Sequence, residues 1–220
     1  MTPPPAPLWR LIPSCFPPIA AFDGVARAED LAAVMDLEGW TNDRLVAERL
    51  ARLPPAEWLF GVPNASVAMA AFLHAAPAGG RFNGAELGAW YASVAVRTAI
   101  AEVAHHLRRE MAARGLAEMR RVFRGYSCRL LGEDYIDLRG ERAAQPGLYA
   151  PDSHAAGQAF GEAARAGGRD GIVYDSLRHA GGVNAVAYRP RHVSEIVQAE
   201  HYDILVPARG GILARRLRPG

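Results

Sequence analysis

The stretch from Arg97 to Arg114 constrains the fold more than any other. Ile100, Val103, Ala104, Leu107 and Met111 recur with a period close to 3.6, and Gly115 follows as a stop. The spacing predicts an amphipathic helix with one apolar stripe. Just before it, "GAWYAS" (88–93) reads as a short strand. Just after it, "RRVFRGYSCRLL" (120–131) reads as another from its β-branched and aromatic content. A striped helix between strands needs a sheet to pack on, which points to an α+β domain.

The remaining segments agree. "LWRLI" (8–12) is a first strand in a Pro-rich opening. Residues 27–39 and 41–53 read as two short helices, the second capped by Thr41 or Asn42 and stopped by Pro54. "SVAMAAFL" (66–73) fits helix or strand equally. "DSHAAGQAFGEAARAGG" (152–168) is a helix capped by Asp152 or Ser153 and closed by Gly167–Gly168. "GIVYDS" and "NAVAY" are strands joined by "LRHAGGV", and residues 192–206 supply the last strand or strands. The expected organisation is one domain, with an N-terminal strand and helical extension (1–75), a core (76–206) and a polar tail (207–220).

Composition narrows the chemistry. The chain has 220 residues, 50% hydrophobic and 22% charged, enough to bury a core. A net charge of +2 without a dense basic run gives no basis for direct nucleic-acid binding. No apolar stretch is long enough to span a bilayer. The first 22 residues are broken by prolines and lack a charged stretch ahead of an apolar run, so they do not read as a signal peptide. A cytoplasmic protein is expected. Cys15 and Cys128 form no CxxC pair and read as free thiols. All 25 basic residues are arginine. That removes Schiff-base chemistry, a pyridoxal anchor and a Walker lysine; any phosphate would be gripped by guanidinium groups.

Several sites fail on spacing. His105 and His106 are adjacent and diverge on a helix, and the other histidines are scattered, so no metal site is expected. Neither "AGGRDG" nor "HAGGVN" gives the dinucleotide fingerprint between a strand and a helix. "YDSLR" is not a nucleophile elbow, and Ser176 reads as a hydrogen-bonding group. Arg81, between Gly80 and Phe82 at a turn, is an unusual place for a solubilising charge. Glu102 falls on the polar side of its helix, away from the Ile100/Leu107 stripe, where a solvated glutamate is the plain expectation. Of Trp90 and Tyr91, alternation puts one toward the core and the other toward a cleft or solvent.

Four stretches resemble, in order, the motifs of the RES-domain family: "GGRFNG" with Arg81, "GAWYAS" with Tyr91, "RTAIAEVAHH" with Glu102, and "GRDGIVYDSLRHAGGVNAVAY" with Ser176. "WRLIPSCFPP" is similar to the family's opening segment, except that Cys15 stands where a basic residue is expected. The helices before residue 60 mark a longer subtype.

The resemblance implies a single ADP-ribosyltransferase-like α+β domain, with central mixed or antiparallel sheets flanked by helices. It implies a toxin of a bacterial toxin–antitoxin pair that takes NAD as its substrate, with no metal. The reaction would cleave the nicotinamide–ribose bond with water or phosphate as acceptor. Transfer of ADP-ribose to a protein, such as a nucleotide-metabolism enzyme, is the first alternative, and an inert binding module the second. Arg81, Glu102 and Ser176 would be catalytic. Tyr91, Asn83, Arg178 and Asn184 would join Arg81 in binding substrate. The implied partner is a cognate antitoxin, helical and DNA-binding, within a homodimer or a toxin–antitoxin hetero-oligomer.

Overall fold

The computed structural model describes residues 4–15, 22–24 and 48–217. One eight-stranded sheet runs through it, in the order β4-β5-β6-β2-β1-β3-β7-β8. The strands are β1 (Leu8–Pro13), β2 (Trp90–Ser93), β3 (Glu118–Leu130), β4 (Tyr135–Asp137), β5 (Gly171–Asp175), β6 (Val183–Ala187), β7 (Val193–Pro207) and β8 (Leu213–Leu217). Only β4 and β5 are parallel, so the sheet is mixed and the domain α+β. Three helices carry labels: α1 (Ala65–Leu73), α2 (Val96–Ala113) and α3 (Ala155–Ala166).

Helix α2 lies where its stripe predicts. Ala104, Leu107 and Met111 are buried against Leu11, Phe123, Tyr202 and Ile204 of β1, β3 and β7, with Ile100 and Val103 packed at the margin. Burying Leu107 and Met111 contributes about 1.5–3 kcal/mol each. Gly115 ends the helix with φ +65°, and the Leu116 N–H returns to the Met111 carbonyl at 3.0 Å. Helix α1 resolves the ambiguous stretch. Ala65, Ala68, Met69, Phe72 and Leu73 are buried on several sides, so no polar stripe marks its period.

Two expectations need correction, and one segment lies largely outside the described residues. The polar tail contains β8, antiparallel to β7, with Arg216 paired to Glu200 at 3.0 Å and Arg215 to Asp203 at 3.3 Å. Its arginines are those of a charged edge strand, which discourages further pairing. Helix α3 starts at Ala155 with His154 as its N-cap and no side-chain cap, although Ser153 Oγ accepts the Ala155 N–H at 3.3 Å. The two helices expected over 27–53 lie outside the described residues up to 47; residues 48–50 are helical.

The sheet is weakest in its middle. β1 shares six register pairs with β3, and β2 shares four with β6, but β1 and β2 share only Trp9↔Ser93. Beyond that pair the two half-sheets part. Arg10 Nη1 reaches across the gap to the Tyr91 carbonyl at 3.0 Å, with its guanidinium 4.7 Å from the Trp90 ring centre.

Candidate active site

A cavity of about 1030 Å³ opens at this seam, lined from both half-sheets, α2, the 75–84 loop and residues 151–154. The loop carrying Arg81 closes two short backbone bonds of its own, Gly79 N–H to the Ala76 carbonyl at 2.8 Å and Gly80 N–H to the Asn83 carbonyl at 2.9 Å, and is otherwise held by α3. Gln158 Nε2 donates to the Ala78 and Gly80 carbonyls at 2.7 and 3.0 Å. Glu162 Oε1 accepts the Gly84 N–H at 2.8 Å, and Arg165 donates to the Leu87 and Gly88 carbonyls at 3.2 and 2.6 Å. These three side chains recur at helical spacing, so one face of α3 grips the whole loop. The contact is that close because Gly157 and Gly161 carry no side chain. A methyl on either would overlap the Arg81 or Phe82 carbonyl oxygen.

Within the loop, Asn83 and Tyr91 form a clasp. Tyr91 donates its hydroxyl to Asn83 Oδ1 at 2.7 Å and accepts the Phe82 N–H at 2.9 Å. Asn83 Nδ2 donates to the Gly84 and Leu87 carbonyls at 2.7 and 3.1 Å. Asn83, expected to bind substrate, thus has both ends of its amide committed within the protein. The Tyr91 ring is half-buried and lines the cavity. Arg81 Nη1 donates to the Leu148 and Ala150 carbonyls at 2.9 and 3.1 Å, while Nη2 and Nε make no hydrogen bond among the described residues. One nitrogen anchors the guanidinium, and the remaining N–H groups are available to a ligand.

Glu102 stands on α2 across from this loop. Its Oε1 accepts hydrogen bonds from Ser176 Oγ and from Asn184 Nδ2, each at 2.7 Å, and Oε2 has no hydrogen-bond partner among the described residues. Ser176 Oγ in turn accepts the Arg178 and His179 N–H groups at 3.1 Å each. Ser176 is buried and does not line the cavity. Its one donor goes to the glutamate, so it positions Glu102 from behind. Arg178 lines the cavity and donates to the Pro151 carbonyl at 3.0 Å. The polar side of α2 therefore faces a cleft: Thr98, Glu102, His105 and Arg109 recur along one edge of the helix, the last three lining the cavity.

The electrostatics favour an anion. Arg10, Arg81, Arg109 and Arg178 line the cavity against two carboxylates, Glu102 and Asp152. Burial, then the nearby Arg178, His106 and Arg109, push the His105 imidazole down to about 4. His106 is lowered by burial, against the opposing pull of Glu102, with Arg109 and Arg178 adding to the lowering; His154 is lowered by burial, then by Arg81 and Arg109. All three imidazoles are neutral near pH 7, in a field set by arginines. Burial lowers Arg10 to about 10, which leaves it a cation. Among the described residues no three His, Cys, Asp or Glu side chains come together as a metal site.

Sequence reasoning singled out seven residues: Arg81, Tyr91, Glu102, Arg178, Asn184 and Asn83 line this cavity, and Ser176 does not but bonds to Glu102 from behind. It missed Arg10, Arg109 and the three histidines. The available signal for Arg10 was an arginine inside an otherwise apolar strand, "LWRLI".

The RES domain profile matches residues 49–206, more than half of the chain. The chain belongs to the RES domain family. The match takes in all four motifs and the Glu102 helix, whereas β1, which carries Arg10, lies outside it. Among curated proteins none matches. A solved structure, that of the M. tuberculosis MbcT–MbcA toxin–antitoxin complex, aligns at a TM-score of 0.43 and 19% identity. The alignment covers 58% of this chain and 72% of the matched one. No helix among the described residues is long and apolar enough to cross a membrane.

Proposed function

We propose that this chain is an NAD-consuming toxin of a toxin–antitoxin pair and cleaves the nicotinamide–ribose bond. The observation that carries the reading is Glu102. One carboxylate oxygen is tied down by two donors and the other has no hydrogen-bond partner among the described residues, in a cavity whose lining carries four arginines against two carboxylates. Breaking the glycosidic bond expels neutral nicotinamide and builds positive charge on the anomeric carbon and ring oxygen. A carboxylate held beside that carbon stabilises the oxocarbenium without having to reorganise as the charge develops. The free N–H groups of Arg81 grip the pyrophosphate, and the exposed part of the Tyr91 ring stacks on nicotinamide or sugar. Water or phosphate then takes up the anomeric carbon. An unchecked enzyme of this kind harms its own cell, which is why a helical antitoxin that plugs the Arg81 side of the cavity belongs to the reading.

The test is incubation of the pure protein with NAD, with and without phosphate, followed by identification of products. Release of nicotinamide with ADP-ribose, or with a phosphorylated ADP-ribose, is expected. Intact NAD would overturn the reading, and ADP-ribose attached to a protein would move it to transfer.

A further inference from the structure

The row of side chains beneath Glu102 obeys a forced hydrogen-bond polarity. A carboxylate oxygen only accepts, so Asn184 must present its N–H to Glu102 Oε1, which turns its own carbonyl oxygen away. Asn184 is buried at 3% exposure, and an unpaired amide oxygen there would be costly. Ser93 supplies the missing donor: its hydroxyl reaches Asn184 Oδ1 at 2.6 Å. The two residues meet because they are directly opposite in the β2–β6 ladder, on the same face of the sheet. Ser93 is also the β2 residue paired with Trp9, in the one register pair that joins the two half-sheets. The seam is therefore closed at the row on which the glutamate rests.

We propose that Ser93 is a positioning residue. Its hydroxyl fixes the orientation of the Asn184 amide, so that an N–H always faces Glu102 Oε1 and Oε2 remains the oxygen presented to the reacting carbon. Without that hydroxyl the buried amide oxygen has lost its donor, Glu102 alone orients the amide, and the flipped orientation is no longer opposed from the Ser93 side. In the flipped orientation its carbonyl opposes the carboxylate, and Glu102 is left with Ser176 as its one fixed donor. The inference rests on the role given to Glu102 above.

The test pairs a kinetic with a substrate-free measurement. Ser93→Ala should lower kcat about tenfold and leave KM within about twofold, because a displaced Glu102 weakens the transition state more than the bound state. The double variant Ser93→Ala/Asn184→Ala should be no slower than Asn184→Ala alone, since both changes act through one amide. Ser93→Cys, which keeps a weak donor in nearly the same volume, should fall between wild type and Ser93→Ala, and it stands in if the alanine variant does not fold. In parallel, the Asn184 side-chain NH2 signals of ¹⁵N-labelled protein, identified by their absence in Asn184→Ala, should move in both Ser93→Ala and Glu102→Gln. Wild-type kcat in folded Ser93→Ala, or additive losses in the double variant, would overturn the proposal. If wild-type protein left NAD intact, the functional reading would fall, and the amide signals alone would decide the relay: movement in Ser93→Ala upholds it and immobility overturns it.

Discussion

The two walls of the cavity are built in opposite ways. On the Arg81 side the backbone is irregular, and side chains of α3 hold it by its carbonyl and N–H groups. On the Glu102 side the backbone is a regular helix that needs no outside support, and the fixing is applied to the side chain by Ser176 and Asn184. An irregular loop advertises itself, because only particular residues tolerate its geometry. Gly79 at φ +67° and Gly80, where a methyl would overlap Asn83 and Tyr91, are such positions. A helical glutamate looks the same in sequence whether it faces water or a cleft.

The largest effect is expected where the loop touches α3. Gly161→Ala forces a methyl into the Phe82 carbonyl and close to the Tyr188 hydroxyl. It should cost about 3 kcal/mol or more by urea unfolding, as overpacking against backbone does. By contrast Gly115→Ala meets open space and bears only left-handed strain, a cost of about 1 kcal/mol. Equal losses at the two glycines would dissolve the claim that α3 is the template of the Arg81 loop.

On the other wall Glu102→Gln keeps an oxygen for Ser176 and Asn184, puts an amide NH2 in place of Oε2 and removes the charge. NAD turnover should drop by about 10²–10³ in kcat with little change in calorimetric affinity. Unchanged turnover would return Glu102 to the role of a solvated helix residue, and the asymmetry between the walls would lose its meaning.

Arg81→Lys should behave like Arg81→Ala, because one ammonium cannot keep the two carbonyl bonds and still offer a planar pair of donors. NAD affinity should weaken by about tenfold, in keeping with loss of a charge-assisted contact. Near wild-type affinity in the lysine variant would remove the phosphate clamp. Ser176→Ala strands two backbone N–H groups and takes one donor from Glu102, and should cost about 1–3 kcal/mol of stability together with part of kcat. A covalent ADP-ribosyl adduct on Ser176 would contradict its place behind the glutamate.

The smallest effect is electrostatic. His105 is held down to about 4 in the folded chain, against an ordinary 6.5. The unfolded chain therefore binds more protons between those values, and this imidazole makes stability fall as pH drops from about 6.5 toward 4 and contributes no slope above it. Arg178→Gln should raise the His105 midpoint, read by NMR titration, and flatten that fall. A midpoint that does not move would mean that the arginines do not set the field of the cavity.

The Arg81 loop, the α2 stripe and the strand sequence were legible because each follows from local rules: turn glycines, a 3.6 period, and runs of β-branched and aromatic residues. β4 and β8 were not: β4 is three residues long and is defined by its parallel pairing with β5, and "LARRL" owes its pairing to β7 and its charges to the needs of an edge. The seam between β1 and β2 was not legible either. Where two strands cease to pair depends on how both half-sheets twist around separate packing partners, and no local pattern encodes that. Glu102 marks the boundary most sharply. The sequence determined that it lies off the apolar stripe, because side-chain direction on a helix follows from spacing alone. Only the tertiary structure decided what lies on that side, since Ser176 and Asn184 come from segments more than 70 residues away. They meet Glu102 only when the sheet has been assembled.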